Sequence, residues 1–170
     1  MANIGYWFYG GGVILSFCLL TYLAWYAWQQ QTQPIARSYT IFALSLAIYG
    51  FTFILITFST DHNLAYLGAR IRQMAAALTY LWYLAVLIDY TGGNGLHFLR
   101  RHWYLFIIPT ITCLISLSSK VDEWMFTDWA IARHGPINLE TLHYQGFYYV
   151  HLTQYYLVIL GGLILLVRQA

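Results

Sequence analysis

The sequence predicts an all-α polytopic membrane protein, a bundle of five transmembrane helices. Two observations predict this fold class. Of the 170 residues, 60% are hydrophobic and 8% are charged, whereas soluble domains carry about 25% charged residues. The apolar residues also fall into five stretches that approach or reach the roughly 20 residues that a helix needs to cross a bilayer. Because backbone groups at that depth cannot bond to water, we expect these stretches to be helices.

The five predicted helices form a single domain over residues 1–170, because no linker rich in Ser, Pro or Gly separates them. The predicted spans are Tyr6–Trp28, Ser38–Phe58, Gly68–Ile88, Trp103–Ser118 and Tyr148–Val167. In the fourth span, Pro109 predicts a kink and a carbonyl freed from its helical bond. In the fifth span, Gly161-Gly162 predict either close helix packing or a bend.

Aromatic side chains concentrate at the ends of the predicted spans. They are Tyr6, Trp7, Tyr9, Trp25, Tyr26 and Trp28 in the first span and Trp103 and Tyr104 in the fourth. Amphipathic rings suit the headgroup layer, so this pattern is typical of an interfacial belt.

The fourth connection, about Ser119–Phe147, is too long for a plain turn, and long loops are often functional. It holds Trp124, Phe126 and Trp129 among acidic residues. That spacing allows a short interfacial helix ended by Gly135-Pro136. The segment is therefore either a connector on the membrane surface or a lid over an extracytoplasmic pocket.

The charges orient the bundle weakly, since Lys and Arg residues tie at four on each side. The uncharged N-terminus and the clustered Arg100-Arg101 in a short loop favour an N-terminus outside and a C-terminus in the cytoplasm. We expect a multi-pass protein of the inner (plasma) membrane. Because the first residues lack the basic region of a signal peptide, we expect the first helix to stay in the mature protein.

One face of the fifth helix carries a polar aromatic stripe. Tyr144, Tyr148, His151 and Tyr155 follow i, i+4, i+7 and i+11. His151 lies well inside a predicted span, where it either ligates a metal, haem or pigment or bonds to another helix. A bis-histidine haem would need a second histidine at matched depth.

Arg70 and Arg72 lie near the outer end of the third helix, about 200° apart around its axis, so they do not form one patch. Either both extend to the headgroups, or one faces inward and binds an anionic headgroup or ligand. Asp89 closes the same helix, where a solvated interfacial position is expected.

Several chemistries lack their residues in this chain. Lys120 lies in a loop and no lysine lies in a span, which argues against a retinal Schiff base. There is no phosphate-binding loop and no Cys/His set with zinc spacing. Cys18 and Cys113 both fall in spans and make no disulfide framework. The sequence therefore predicts neither an enzyme nor a cofactor, and its scattered basic residues argue against nucleic acid.

A series of short motifs carries a family resemblance. In chain order they are Leu87-Ile88-Asp89-Tyr90-Thr91-Gly92, Arg100-Arg101, Pro109, Gly146-Phe147-Tyr148, His151, Tyr155-Tyr156, Leu157–Leu166 with Gly161-Gly162, and Arg168-Gln169-Ala170. Over nearly its whole length, the chain resembles the N-terminal seven-helix membrane sensor region of bacterial histidine kinases.

The resemblance implies a sensory input module with an external N-terminus and a cytoplasmic output. An apolar or amphiphilic ligand, or the state of the bilayer, would bias two arrangements of the bundle. The outer ends of helices 3 and 5 would line the site under the fourth connection, with Arg70, Tyr80, Tyr83, Tyr148, His151 and Tyr155. Since five of the seven helices are present, the sequence is either a fragment or a five-helix relative, and no kinase activity is assigned to it.

Two other functions stay open. A small bundle fits an accessory subunit of a respiratory or photosynthetic complex, with its aromatic faces against lipid, quinone or pigment. A transporter or channel is a weaker alternative, because the sequence has no convincing internal repeat or charged midplane. The expected partners are the lipid bilayer and either a second copy of the chain or other membrane subunits.

Overall fold

A computed structural model describes residues 2–118, 124–134 and 137–169. The helices are α1 (Ala2–Gln29), α2 (Pro34–Phe58), α3 (His62–Tyr90), α4 (Gly95–Arg101), a 3-10 helix (Trp103–Phe106), α5 (Ile107–Leu117) and α6 (Gly146–Gln169). The strands are β1 (Phe126–His134) and β2 (Ile137–Tyr144).

Helix α3 lies at the centre of the bundle, where it contacts α2, α4, α5 and α6. Half of its most apolar part is buried, against 11% for α1. Several of its buried residues are alanines, such as Ala65 and Ala77, and small side chains let neighbouring helices approach closely. Further along, Tyr80 and Leu81 form a buried apolar cluster with Val158 of α6.

Four of the predicted spans are confirmed as helices that are long and apolar enough to cross a membrane, namely α1, α2, α3 and α6. Each predicted range lies inside the observed helix. The belt residues Trp7, Trp25, Trp28 and Trp103 are exposed on the surface of the bundle, as contact with headgroups requires.

The fifth predicted span, Trp103–Ser118, is not confirmed as one spanning helix. It begins as the 3-10 helix and continues as α5 from Ile107. Together these pieces measure roughly 24 Å, which is short of the roughly 30 Å hydrocarbon core. Pro109 lies in the first turn of α5, where a missing N–H costs no bond within the helix.

The carbonyl that Pro109 was predicted to free is that of Leu105. It belongs to a hydrogen-bond network that joins three parts of the bundle. Leu105, four residues before the proline, accepts a 2.9 Å hydrogen bond at its carbonyl from Gln154 Nε2 of α6. Gln154 Oε1 accepts a 2.6 Å bond from the hydroxyl of Tyr80 in α3. One amide side chain thus satisfies polar groups from two other segments in an apolar setting, where water is not available.

The fourth connection is a β-hairpin, so the interfacial helix predicted around Trp124, Phe126 and Trp129 is wrong. The strands pair antiparallel from Phe126↔Tyr144 to His134↔Ile137. The start of β2 reads Ile-Asn-Leu-Glu, and this alternation of apolar and polar residues is typical of a strand. The mostly helical fold is consistent with the predicted all-α polytopic membrane class, and it carries one hairpin.

Two earlier expectations fall on residues outside the described ranges. They concern Gly135-Pro136, which we expected to end the interfacial helix, and Lys120, which we placed in a loop. The base of the hairpin is anchored in the bundle: Met125 and Phe126 are buried and pack against Tyr66 of α3 and Ile115 of α5.

At the opposite end of the bundle, Asp89-Tyr90-Thr91-Gly92 builds the turn that ends α3. Gly92 has a φ of 81°, a conformation that favours glycine. The Gly93 N–H donates to the Ile88 carbonyl at 2.9 Å. Asp89 Oδ1 accepts a 2.7 Å bond from the Gly95 N–H at the start of α4, so the aspartate positions the next helix rather than lying free in solvent.

The adjacent glycines of α6 provide a matched test of its packing on α3. A side chain at Gly162 would overlap Leu87 of α3, whereas one at Gly161 meets open space. We expect Gly162→Leu to destabilise the protein by about 1–3 kcal/mol through overpacking. Gly161→Leu is expected to leave stability unchanged or raise it, because leucine is the better helix former. Thermal unfolding in detergent measures both, and equal melting temperatures would contradict the packing of α6 on Leu87.

Candidate functional site

A cavity of about 870 Å³ opens between α2, α3 and α6 beneath the hairpin. Its lining combines apolar side chains, several aromatic rings and a few polar groups. The lining residues are Leu46, Tyr49, Phe53, Arg72, Gln73, Ala76, Thr79, Glu140, Thr141, His143, Tyr144, Tyr148, His151, Leu152 and Tyr155. The volume and the mixed lining are typical of small-molecule sites.

Arg72 of α3 points into this cavity and is 6% exposed. Its guanidinium forms a two-point ion pair with Glu140 of β2: Nη2 donates to Oε1 at 2.8 Å, and Nη1 donates to Oε2. On its other side, Cζ lies 5.0 Å from the centre of the Phe53 ring of α2. The charge is therefore held by a hairpin carboxylate and by an aromatic face of the bundle.

The same strand is fixed to α2 by a neighbouring side chain. Asn138 Nδ2 donates to the Ile56 carbonyl at 3.0 Å and also to the Ser59 carbonyl. Asn138 and Glu140 are two residues apart, so they lie on one face of β2. Glu140 Oε1 also accepts a 2.6 Å bond from Trp129 Nε1 of β1. The hairpin thus lines the cavity through Glu140, Thr141, His143 and Tyr144 of β2.

An aromatic wall lines the side of the cavity formed by α6. Tyr144, Tyr148, His151 and Tyr155 all contribute to it, as the stripe predicted. Tyr144, however, comes from the end of β2, and its ring stacks on Tyr148 with centroids 3.7 Å apart. The stripe therefore begins on the hairpin and continues down the helix, so it connects the two elements.

His151 is the buried polar group of this wall and is 5% exposed. Its Nδ1 has no hydrogen-bond partner in the described part of the chain. Its ring lies 5.6 Å from that of Tyr80, centre to centre. A buried nitrogen without a partner is costly, so a ligand group in the cavity would find a hydrogen-bonding site there.

Three of the six residues that we predicted for the site, Tyr148, His151 and Tyr155, line the cavity. The other three have different positions. Tyr80 is buried, and its hydroxyl is bonded to Gln154. Tyr83 packs against Phe42 of α2 with ring centroids 5.9 Å apart.

Arg70, the sixth predicted residue, faces α5. Its Nη2 donates to the Ser118 carbonyl at 2.9 Å, and its Nε donates to the Ser116 carbonyl. The guanidiniums of Arg70 and Arg72 both have bonding partners within the protein. The inward-facing arginine of our alternative is Arg72.

The sequence analysis missed the α2 wall and the hairpin residues of the cavity. Tyr49 and Phe53 lie four residues apart on α2, a spacing that puts them on one face. Glu140 and Tyr144 share a strand face, and the alternation in β2 was the signal that would have found them. The pairing of Arg72 with Glu140 had no local signal, since 68 residues separate them.

Within the described ranges, no cluster of three or more His, Cys, Asp or Glu side chains is placed to hold a metal ion. Of the cysteines, Cys18 is exposed and Cys113 is partly buried, and both are free.

The match to a protein family covers residues 12–170, and the family is the N-terminal 7TM region of histidine kinases. The chain belongs to this family. The resemblance that its motifs suggested is thus confirmed. Neither the curated proteins nor the solved structures include a match.

Membership in this family makes the chain a membrane region of the sensory input type. The family description counts seven helices, whereas the described ranges supply four helices of spanning length and the shorter 3-10/α5 segment. The hairpin cavity lies within the matched residues, so it belongs to the kinase membrane region itself.

The docking of the hairpin on α2 is testable at Asn138. We expect Asn138→Ala to remove its bonds to the carbonyls at the end of α2 and to cost about 1–2 kcal/mol. Amide hydrogen exchange over residues 126–144 should then be about 5–30 times faster. Arg133→Ala, at an exposed position of β1, is the matched control and should leave exchange unchanged; equal acceleration in both variants would contradict the docking contact.

Proposed function

We propose that this chain is the membrane sensory module of a histidine kinase and that it binds an apolar or amphiphilic ligand in the hairpin cavity. The observation that carries the proposal is the cavity itself, a site of about 870 Å³ inside the membrane region of a kinase family. Its aromatic wall suits an apolar ligand body, and the groups of Arg72 and His151 suit polar atoms.

The signal would pass along α6. The first half of this helix lines the cavity with Tyr148, His151 and Tyr155, and its second half packs against α3 at Gly162 and Leu87. A ligand that binds one arrangement of the aromatic wall more tightly would shift the population of that arrangement. Because α6 is one continuous helix from Gly146 to Gln169, a change at the cavity would reach its far end.

The orientation that we propose has the N-terminus and the hairpin outside the inner (plasma) membrane and the end of α6 in the cytoplasm. Arg100 and Arg101 of α4 and Arg168 of α6 lie at the end opposite the hairpin. At the hairpin end, Arg70 and Arg72 are bonded inside the protein. The close pair Arg100-Arg101 next to a short loop supports the orientation through the positive-inside rule.

In this proposal the chain has no catalytic role, and phosphoryl transfer belongs to a kinase region outside residues 1–170. Family membership favours a sensor over an accessory subunit of a respiratory or photosynthetic complex. The partners are the bilayer and a second copy of the chain or other membrane subunits.

A matched pair of tryptophan substitutions on α2 tests whether the cavity controls output. Leu46 lines the cavity, and Leu44, two residues away, is 51% exposed. We expect Leu46→Trp to fill the cavity and to change autophosphorylation of the histidine kinase that carries this region by about threefold or more, which corresponds to about 0.7 kcal/mol between the two states. Leu44→Trp should leave it unchanged. Unaltered autophosphorylation in the Leu46→Trp variant would contradict the proposal.

Adjacent tyrosines on α6 test the aromatic wall in the same way. Tyr148 stacks on Tyr144 in the cavity, whereas Tyr149 is 57% exposed. Tyr148→Ala and His151→Ala should each alter kinase output in native membranes, because each removes part of the wall that joins the hairpin to α6. Tyr149→Ala is the control. Three variants with wild-type output would show that the wall is structural only.

A further inference from the structure

We propose that the ligand carries an anionic group that replaces the Glu140 carboxylate on Arg72 and so releases the hairpin from the bundle. This inference rests on the proposed function and specifies its ligand class, an anionic amphiphile. The cavity would take the charged group at its hairpin end and the apolar body along α3 and α6.

The first argument is the state of Arg72. Its side chain and that of Glu140 are 8% and 12% exposed, so the guanidinium is largely removed from water. A buried cation of this kind requires an anion, and removing its partner is strongly destabilising. The two-point geometry is also the one in which a planar guanidinium binds any carboxylate or phosphate. A ligand anion would therefore find a preformed site as soon as Glu140 withdraws.

The second argument is that the two partners belong to elements of different stability. Arg72 lies on the central helix α3, and the Phe53 ring of α2 holds it from the other side, so its position does not depend on the hairpin. Glu140 lies on a two-stranded hairpin, and such hairpins are marginally stable when isolated. Its other anchors are Asn138 of β2 and the buried Met125 and Phe126. Exchange of anions would thus remove one anchor of the hairpin and leave the cation in place.

The third argument is that Glu140 keeps a partner when it leaves. Its Oε1 accepts the 2.6 Å bond from Trp129 Nε1, and Trp129 is on the other strand of the same hairpin. The carboxylate can therefore part from Arg72 without losing all its hydrogen bonds. The indole contact makes the open arrangement less costly than for a carboxylate bonded to Arg72 alone.

The depth of the cavity sets the size of the ligand body. Along α3, Gln73, Ala76 and Thr79 follow Arg72 in the lining. The next residue, Tyr80, packs its ring against His151. Eight residues of helix separate Arg72 from Tyr80, a distance of about 12 Å. A body of roughly that length would reach from the arginine to the unpartnered Nδ1 of His151.

The test compares two radiolabelled probes of equal chain length, dodecanoate and dodecanol, at a pH at which dodecanoate is ionised. The 170-residue protein is placed in phosphatidylcholine nanodiscs, and binding to empty nanodiscs is subtracted. We expect saturable binding, with dodecanoate bound more tightly than dodecanol. Glu140→Gln should tighten dodecanoate binding about tenfold, the factor expected if the hairpin is open about one-tenth of the time, and should leave dodecanol binding within about twofold. Because this variant leaves Arg72 without its carboxylate, its helical content is checked by circular dichroism, and unchanged dodecanoate affinity in the folded variant would overturn the inference.

The control removes the cation together with its partner. Arg72→Gln alone would leave Glu140 buried and unpaired, so the double variant Arg72→Gln/Glu140→Gln is used, in which two amides face each other. It should bind the two probes equally. A wild type that binds dodecanol as tightly as dodecanoate, a double variant that retains the preference, or an absence of saturable dodecanoate binding would each overturn the inference. The proposed function fails separately, through unchanged kinase output in the Leu46→Trp variant.

A second arm separates the two sources of such an anion, a free amphiphilic acid and the headgroup of a membrane lipid. Part of the phosphatidylcholine is replaced by phosphatidylglycerol. Dodecanoate binding that weakens in Glu140→Gln more than in the double variant identifies a lipid headgroup as a competitor for Arg72, since both variants experience the same surface charge. Equal changes in the two variants identify a free acid as the ligand.

Discussion

A charge among apolar helices must find its counter-charge in the same protein, and the bond between Arg72 and Glu140 is where this constraint acts. The pair brings a strand from late in the chain onto the central helix. That contact positions the hairpin, and the hairpin in turn covers the space between α2, α3 and α6. The ion pair therefore joins the site to the hairpin, beside the contacts of Asn138 with α2 and of Met125 and Phe126 with α3 and α5. Gln154 meets the same requirement in a neutral form, since it joins Tyr80 to the Leu105 carbonyl.

The spans were predictable because hydrophobicity along the chain is a local property. Each confirmed span lies within a helix of spanning length, and the stripe through Tyr148, His151 and Tyr155 follows from helical periodicity alone. The carbonyl freed at Pro109 was also predictable, since it depends on the chemistry of one residue. What these features share is that the cause and the effect lie within one or two turns of helix.

The hairpin and half of the site were not predictable on those grounds. The spacing of Trp124, Phe126 and Trp129 was interpreted as a surface helix. The alternation of apolar and polar residues from Ile137 onward was the stronger signal, and it indicates a strand. The partner of Arg72 is 68 residues away, and no local pattern specifies which of several acidic side chains comes to rest on it. Tyr80 shows another error: it is buried beside the cavity rather than in its lining, and its hydroxyl donates to Gln154.

The turn at Asp89-Tyr90-Thr91-Gly92 bears on how receptors of this kind relate to one another. This motif carried much of the resemblance to the kinase family, and here it builds a helix end, through the positive φ of Gly92 and the bond from Gly95 to Asp89. It lies at the end of the bundle remote from the cavity. The motif is therefore evidence for the fold of the bundle, and it gives no information about which compound the cavity binds. Two proteins that share it are free to detect unrelated compounds, because the side chains that would choose the compound belong to a separate part of the chain and can diverge without disturbing the scaffold.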